Sequence, residues 1–195
     1  SLDISFDRED QLNISSTLIG SGKYEIFARI SSCENSASVA ASKSCAGGIA
    51  GRMDYGLAVG CSALGEVTTA EDYAGGIVGH SSAAVRNCRA RVNLSGKRYV
   101  GGIAGQSGAT VRQSYAKCTL SGAKYVGGIV GAGAEQTVSG ASSTVSGCYS
   151  MVEITDATQF SGAISGPAYF FMLTGNDSPP IHFEDAAAVL FSEEP

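Results

Sequence analysis

The sequence predicts an all-β fold, a right-handed parallel β-helix of about five to six coils with a cap at each end. Three observations predict it. A Gly-Gly-Ile phrase recurs, a second apolar phrase precedes each copy, and polar or glycine-rich stretches separate the phrases. A fixed period of about 20–50 residues is typical of solenoids, whose repeats bury their apolar faces only against neighbouring repeats. Parallel crossover connections are almost always right-handed, which gives the predicted hand.

The Gly-Gly-Ile phrase occurs four times and is followed by a degenerate fifth copy. The copies read SCAGGIAG at 44–51, DYAGGIVG at 72–79, RYVGGIAG at 98–105, KYVGGIVG at 124–131 and QFSGAISG at 159–166. Successive isoleucines lie 28, 26, 26 and 35 residues apart. A propeller blade needs about 40 residues, and no apolar set recurs with the period of a helix. The spacing therefore favours a solenoid of strands.

The second phrase supplies columns of residues that are expected to face the core. Its copies begin at Cys33, Cys61, Cys88, Ser114 and Cys148. Positions two residues apart in a strand share a face, so the residues four and six places later are predicted to point inward with this first column. They are Ala37, Gly65, Val92, Cys118 and Val152, then Val39, Val67, Leu94, Leu120 and Ile154. A third inward set is predicted in Cys45, Tyr73, Tyr99, Tyr125 and Phe160, followed by the isoleucines.

The paired glycines predict a bend or a thin cross-section, because glycine adopts positive φ and lets another backbone approach closely. Residues 1–30 alternate apolar and polar side chains and are predicted strands that begin or cap the stack. Residues 31–166 carry the repeats. Residues 167–195 are a predicted C-terminal cap or linker, since a terminal coil needs a cover over its edge strands. The alternative for the apolar run at 168–173 is a docking patch for another domain.

The composition agrees with one domain and a continuous core. The chain has 195 residues with 26 glycines, no tryptophan and 16% charged residues. Its apolar runs are shorter than a membrane-spanning segment requires. The abrupt start at Ser1 is expected of a trimmed fragment of a larger secreted parent.

The six cysteines are predicted to be small buried side chains, because four of them share one column with Ser114. Neighbouring coils could also place two thiols within bridging distance, so a disulfide stays open as an alternative. The chain has no Cys-x-x-Cys pair and no Cys/His cluster with the spacing of a zinc site. We therefore expect no metal site and no cofactor.

The phrase Tyr-Val-Gly-Gly-Ile-Ala-Gly at 99–105, together with the Ser-Tyr-Ala at 114–116 and the Cys-Tyr-Ser at 148–150 that lie upstream of later copies, resembles the GLUG motif repeat. The resemblance covers 31–166 and is clearest over 61–131. The cysteine column and the long insert before the last copy depart from the pattern. The resemblance implies a surface-exposed, non-catalytic repeat region of a bacterial secreted protein, adhesin-like or beside the protease domain of an IgA-cleaving metallopeptidase. It transfers no catalytic residues.

Charge is distributed unevenly along the chain. Residues 1–72 carry a net charge of −5 and residues 135–195 carry −8, whereas residues 73–134 hold eight bases and no acid. The eight predicted ligand-binding residues of this basic belt are Arg86, Arg89, Arg91, Lys97, Arg98, Arg112, Lys117 and Lys124. Three pairs occupy equivalent positions: Arg86 with Arg112, Arg91 with Lys117, and Arg98 with Lys124. Stacked like charges repel unless they are solvated or bridged by an anion.

The belt therefore predicts a shallow site for sulfated, sialylated or uronic-acid glycans, with a solvated surface that only maintains solubility as the alternative. A nucleic-acid partner is not expected, because the net charge is −5 and the bases and aromatic residues do not match a known nucleic-acid-binding module. Expected partners are anionic glycans or host surface proteins, and other domains of the parent chain. Stacking of acidic ends onto the belt of another copy, which salt would weaken, is a further possibility.

No nucleophile–base constellation stands out, so the chain is not expected to be an enzyme. His80, beside Ser81 and Ser82, is interpreted as a turn histidine. The predicted function is a structural stalk or adhesin module of a surface or secreted protein. The alternative is a carbohydrate-active domain of the lyase or hydrolase kind, because such enzymes also use β-helices. Their chemistry needs clustered carboxylates, which the central coils lack.

Overall fold

The computed structural model describes residues 28–133 and 143–167, together with the backbone of four short strands at 17–19, 22–24, 182–184 and 187–190. Within these residues the chain forms strands and no helix. The all-β prediction is confirmed.

In chain order the strands of the described residues are β1 (Thr17–Ile19), β2 (Gly22–Tyr24), β3 (Arg29–Ser31), β4 (Glu34–Asn35), β5 (Val39–Ala41), β6 (Ala46–Gly47), β7 (Ala50–Met53), β8 (Leu57–Val59), β9 (Ser62–Thr69), β10 (Asp72–Gly75) and β11 (Val78–Ser81). They continue with β12 (Ala84–Arg86), β13 (Arg89–Gly101), β14 (Ala104–Ser107), β15 (Thr110–Arg112), β16 (Tyr115–Gly127), β17 (Val130–Gly133), β18 (Thr144–Ser146), β19 (Tyr149–Ile154), β20 (Gln159–Gly162), β21 (His182–Glu184) and β22 (Ala187–Leu190).

Three parallel sheets run along the solenoid axis. Over the described residues, a four-stranded sheet has the order β17-β14-β11-β7 and a six-stranded sheet the order β21-β18-β15-β12-β8-β3. The third sheet has ten strands and contains the long strands β13 and β16. Strands β1 and β2 form a separate antiparallel pair. Each coil therefore contributes one strand to each short-stranded sheet and one long or broken strand to the ten-stranded sheet.

The described residues make a β-solenoid of about four turns, with partial coils at both ends. The turns run from one isoleucine of the Gly-Gly-Ile phrase to the next. The predicted parallel β-helix is confirmed, and the count of five to six coils differs from it only slightly. The predicted right hand stays a prediction. Residues 1–16 and the apolar run at 168–173 lie outside the described residues, so their predicted capping role also stays a prediction.

The columns predicted to face inward form the core of the central coils. Members of the second phrase that are at most 2% exposed are Cys61, Val67, Cys88, Val92, Leu94, Ser114, Leu120, Cys148 and Val152. Ile77, Ile103 and Ile129 are fully buried beside them. Burying one such aliphatic side chain contributes about 1.5–3 kcal/mol, so the stacked columns are the main source of stability.

The inward prediction is wrong at Ala37 and Gly65, which are exposed. In the first coil, the Asn35 side chain accepts a hydrogen bond from the Ala37 amide (2.9 Å) and donates one to the Gly48 carbonyl (2.8 Å). This turn breaks the strand into β4 and β5. Gly65, at the equivalent position of β9, has a left-handed φ of 101°, which interrupts the regular alternation of faces in that strand. Cys33, at the start of its phrase, is also exposed.

The prediction that the aromatic column faces the core is wrong for all its members except Tyr125, which is 6% exposed, whereas the others are half-buried or exposed. Cys45, Tyr73, Tyr99, Tyr125 and Phe160 all have φ between 56° and 70°; we call this column the aromatic corner. A left-handed residue interrupts the alternation of faces, so the next residues, Ala74, Val100 and Val126, point inward and are fully buried. The rings instead stack on one another, with centroids 4.9, 4.8 and 5.4 Å apart from Tyr73 to Phe160.

The Gly-Gly phrase serves close backbone approach, and its glycines have no positive φ. A Cβ on Gly102 would lie 2.6 Å from the Ala116 Cβ and would also meet the Gly128 carbonyl oxygen. A Cβ on Gly105 would lie 2.6 Å from the Tyr99 carbonyl oxygen. The four-stranded sheet thus packs backbone to backbone against the ends of the long strands, and the thin cross-section predicted for this phrase is confirmed.

Each coil has a second left-handed corner, directly before the cysteine column. Its residues are Ser32, Gly60, Asn87, Gln113 and Gly147, with φ between 51° and 64°; together with the following Cys or Ser we call it the thiol corner. The Cys88 thiol donates to the Arg86 carbonyl at 3.2 Å and the Ser114 hydroxyl to the Arg112 carbonyl at 3.0 Å. The Cys or Ser side chain therefore ties the corner across its left-handed residue. All six cysteines are free thiols.

Candidate ligand-binding groove

The outer face of the long strands carries side chains in rows that cross the strands. Parallel pairing places Arg91 beside Leu64 and Lys117 beside Met151, and the pairs that flank Arg91 and Lys117 put these two side by side. We call Leu64, Arg91, Lys117 and Met151 the cationic row. Two residues further along the same strands, the register aligns a second row. It consists of Glu66, Asn93, Thr119 and Glu153, and we call it the polar row.

The part of these two rows that runs from β13 to β19 lines a surface groove with a volume of about 520 Å³. Its outward-facing side chains are Arg91, Asn93, Lys117, Thr119, Met151 and Glu153. Neighbouring strands lie about 4.8 Å apart, so the guanidinium and ammonium groups can reach one small anionic group together. The groove therefore combines two cations, a neutral amide and hydroxyl, and one carboxylate on a single rigid sheet.

Arg91 and Lys117 are exposed and carry their charges without a partner in the described part of the chain, where neither forms an ion pair or a side-chain hydrogen bond. Like charges on adjacent strands repel each other. A bound anion would remove this repulsion and accept charge-assisted hydrogen bonds from both side chains.

Arg98 is neutralised by a partner one coil away. Its Nη2 lies 2.6 Å from Asp72 Oδ2 and its Nε 3.0 Å from Asp72 Oδ1. The hydrogen bond to Asp72, and then the charge of Asp72, raise the pKa of Arg98 above its usual value. The bidentate pair holds the guanidinium against its own sheet, so Arg98 is not a free ligand-binding cation.

Lys124 lies at the aromatic corner. Its Nζ is 4.7 Å from the centre of the Tyr125 ring and 5.4 Å from that of Phe160. The Arg98 guanidinium carbon is 5.7 Å from the centre of the Tyr99 ring. Cations over ring faces are attracted by the ring quadrupole, so both side chains support the stack of rings.

The remaining basic residues lie on different surfaces. Arg86 and Arg112 are in register on the six-stranded sheet, as their predicted equivalence requires. Arg89 is exposed on the groove-bearing sheet, in register with Tyr115. Lys97 is exposed near the bend of β13, where its backbone amide donates to the Glu71 carbonyl. The eight predicted residues thus do not form one surface, and the structure places only Arg91 and Lys117 in the groove.

Sequence reasoning missed the polar row. Glu66, Asn93, Thr119 and Glu153 each lie five residues after the start of the second phrase, between the two columns predicted to face inward. The same repeat alignment would have shown an outward column at this position. Its mixture of carboxylates, amide and hydroxyl is the signal that could have found it.

His80 does not form a catalytic pair with its neighbouring serines. The Ser81 hydroxyl donates to the Ala83 carbonyl at 2.8 Å, and the His80 ring contacts the edge of Tyr73 at a centroid distance of 5.3 Å. Burial lowers the pKa of His80, with the charge of Arg52 acting in the same direction. This imidazole is held neutral against the aromatic corner, which is a packing role.

In the part of the chain that the structure describes, no group of three or more His, Cys, Asp or Glu side chains could hold a metal ion. That part also has no helix that is both long and apolar enough to span a membrane.

Comparison of the chain with protein-family models, with curated proteins and with solved structures gives no match. The resemblance to GLUG repeats therefore depends on the residues of the repeated phrases.

Proposed function

We propose that this chain is a non-catalytic repeat module of a bacterial cell-surface or secreted protein, a stiff stalk that binds anionic glycans through the groove of Arg91 and Lys117. The observation that carries the proposal is the pair of exposed cations on adjacent strands, which have no counter-charge among the described residues. Arg98 supports the same interpretation by contrast, since it has a carboxylate partner in the stack.

The architecture suits this function. A parallel solenoid fixes the spacing of side chains on its outer face, so a shallow site can be preorganised without a deep pocket. The Gly-Gly-Ile repeats, which resemble GLUG repeats, support the location on a bacterial surface and the partnership with other domains of a longer chain. The alternative of a carbohydrate-active domain has no supporting geometry in the groove, whose single carboxylate is Glu153.

A glycan array with neutral and anionic sugars, read at low and moderate salt, tests the proposal. We expect binding confined to anionic glycans and weakened by salt, because screening reduces exposed charge interactions. The variant with Arg91→Glu and Lys117→Glu should bind at least about tenfold more weakly, since each charged hydrogen bond contributes about 1.5–3 kcal/mol.

The matched control carries Lys97→Glu and Arg112→Glu, two exposed positions outside the groove with the same change in net charge. It should lose less than about threefold in affinity, because distant surface charges act only through a screened field. Equal losses in the two variants, or no binding to any anionic glycan, would reject the groove as the site. Shortening of a bound glycan during incubation would favour the carbohydrate-active alternative.

A further inference from the structure

The two rows carry opposite charges at different positions. The cations lie at the centre of the cationic row, and the carboxylates lie at the ends of the polar row. The polar row places Glu66 and Glu153 at its ends, with Asn93 and Thr119 between them. Both glutamates are exposed, and within the described residues neither pairs with a cation. Neighbouring strands lie about 4.8 Å apart. Each carboxylate therefore lies one strand away from the neutral side chain of Asn93 or Thr119 in its row.

The cationic row ends in apolar side chains. Leu64 is 42% exposed on one side of Arg91, and Met151 is half-buried on the other side of Lys117. Positive charge in this row is thus confined to two adjacent strands. That width accommodates one carboxylate or sulfate group, and a second anion further along the row would meet only an apolar surface.

A ligand that lies along the strands meets a different sequence of groups. Asn93 lies two residues after Arg91 and Thr119 two residues after Lys117, a step of about 6.8 Å along each strand. The cations therefore occupy one end of the groove and the neutral hydrogen-bonding groups occupy the other. A sugar residue is comparable in length to this two-residue step.

We propose that the groove selects a glycan in which one carboxylated sugar alternates with an uncharged sugar, and that it disfavours densely sulfated chains; this inference rests on the proposed function. The carboxylate accepts hydrogen bonds from Arg91 and Lys117. Hydroxyl or acetamido groups of the uncharged sugar bond to the Asn93 amide and the Thr119 hydroxyl. A sulfate on that sugar lies beside Glu153, where like charges repel and affinity falls.

Three forms of one hexasaccharide test this selection by isothermal titration at physiological salt: unsulfated chondroitin, its carboxyl-reduced derivative and its sulfated derivative. Unsulfated chondroitin alternates a uronic acid with an N-acetylated hexosamine, so it is the expected ligand. The carboxyl-reduced chain should bind at least about tenfold more weakly. The sulfated chain, despite its greater charge, should bind no more tightly than the unsulfated one.

The variant Glu153→Gln identifies the cause of the selection. It should raise the affinity for the sulfated chain about threefold to fivefold more than the affinity for the unsulfated chain, because the sulfate approaches that carboxylate more closely than the uronate does. The control Glu34→Gln, on strand β4 and outside the groove, should change neither affinity.

Tighter binding of the sulfated chain to the unmodified protein, or an unchanged preference in Glu153→Gln, would overturn the inference and leave the proposed function standing. Absence of binding by all three chains would overturn the inference, and the proposed function falls with it only if the glycan array also shows no binding to any anionic glycan. Retention of binding by the carboxyl-reduced chain would show that the cations do not hold a carboxylate.

Discussion

Every coil turns at two left-handed residues, and the two corners maintain that conformation in different ways. The thiol corner uses residues such as Gly60 and Asn87, which adopt positive φ readily, and a Cys or Ser side chain ties it to a carbonyl two residues earlier. The aromatic corner places bulky residues such as Tyr99 at φ of 60°. A bulky left-handed residue costs about 1–2 kcal/mol, and ring stacking contributes about 0.5–1.5 kcal/mol per pair in return.

The comparison shows that the same backbone conformation can come from local preference or from the stack. In three of the five coils the thiol corner uses Gly or Asn, which suit this conformation, and Ser32 and Gln113 occupy it in the other two. The aromatic corner is stable only because neighbouring coils supply the rings above and below. The last ring of the column, Phe160, is accordingly 37% exposed, whereas the ring before it, Tyr125, is 6% exposed.

The largest expected difference lies between two glycines. Gly102→Ala places a Cβ against the Gly128 carbonyl oxygen and 2.6 Å from the Ala116 Cβ, so backbone must move. We expect a loss of about 4 kcal/mol or more in the free energy of unfolding. Gly147→Ala, at φ of 56° with its nearest neighbour 3.6 Å away, should cost only about 1 kcal/mol.

Urea denaturation followed by circular dichroism measures both variants under the same conditions. The two substitutions make the same chemical change, so the difference isolates backbone approach from left-handed strain. Similar losses for both would show that the thin cross-section can open to admit a methyl group.

At Tyr99 in the aromatic corner, the difference in stability between the alanine and glycine variants should be smaller. Tyr99→Ala removes two ring stacks and should cost about 2–3 kcal/mol. Tyr99→Gly also loses the stacks but relieves the left-handed strain, so it should be about 1 kcal/mol more stable than the alanine variant. Glycine in a strand is ordinarily about 0.5–1 kcal/mol less stable than alanine.

Tyr115 provides the matched control for this inversion. It stacks on Tyr149 at a centroid distance of 5.5 Å, and it is not among the residues with positive φ. At Tyr115 the ordinary order should return, with the alanine variant more stable than the glycine variant. The same order at both tyrosines, in thermal melts of the four proteins, would contradict the cost assigned to the aromatic corner.

Ionisation of the buried thiols should have the smallest effect on the free energy of unfolding at neutral pH and a larger effect at alkaline pH. Burial raises the pKa of Cys88 and of Cys118 from 9.0 to about 12. In the folded state both thiols therefore keep their protons where the unfolded chain has lost them. Stability from this source is complete below about pH 9 and declines as pH rises toward 12, by up to about 1.4 kcal/mol per pH unit for each thiol.

Denaturation midpoints measured from pH 8 to pH 11 show this decline, and Cys88→Ser should make it shallower. Serine already occupies the equivalent position at Ser114, so the substitution is expected to keep the corner at neutral pH. At pH 8 a thiol reagent should modify exposed Cys33 rapidly and leave Cys88 and Cys118 unmodified until the chain unfolds. Rapid modification of all six thiols would contradict their burial.

The repeat alignment predicted the solenoid and most of its core, because side chains at equivalent positions stack in register. It predicted the wrong orientation for the side chains of Tyr73 and its equivalents. One left-handed residue reverses the alternation of strand faces, and tyrosine as a residue type does not indicate positive φ. The paired glycines pointed correctly to close approach, although the strained residue lies two positions before them.

The groove was only partly predictable. The equivalence of Arg91 and Lys117 follows from the alignment, but the belt also included Arg98, whose partner Asp72 lies 26 residues earlier and thus directly beside it. Counting charge over consecutive stretches of sequence placed Asp72 in an acidic stretch and Arg98 in the basic one, whereas the solenoid pairs them. Neutralisation in a stacked fold has to be judged across the coil period.

The central coils at 78–103 and 104–129 have the same length of 26 residues, and their strands pair without offset. An in-frame duplication or loss of 26 codons would therefore add or remove one whole turn while leaving each remaining residue opposite an equivalent neighbour. Each such event changes the reach of the module by about 4.8 Å. Unequal recombination between neighbouring repeats thus offers a way to adjust the length of the solenoid, in steps fixed by the spacing of its strands.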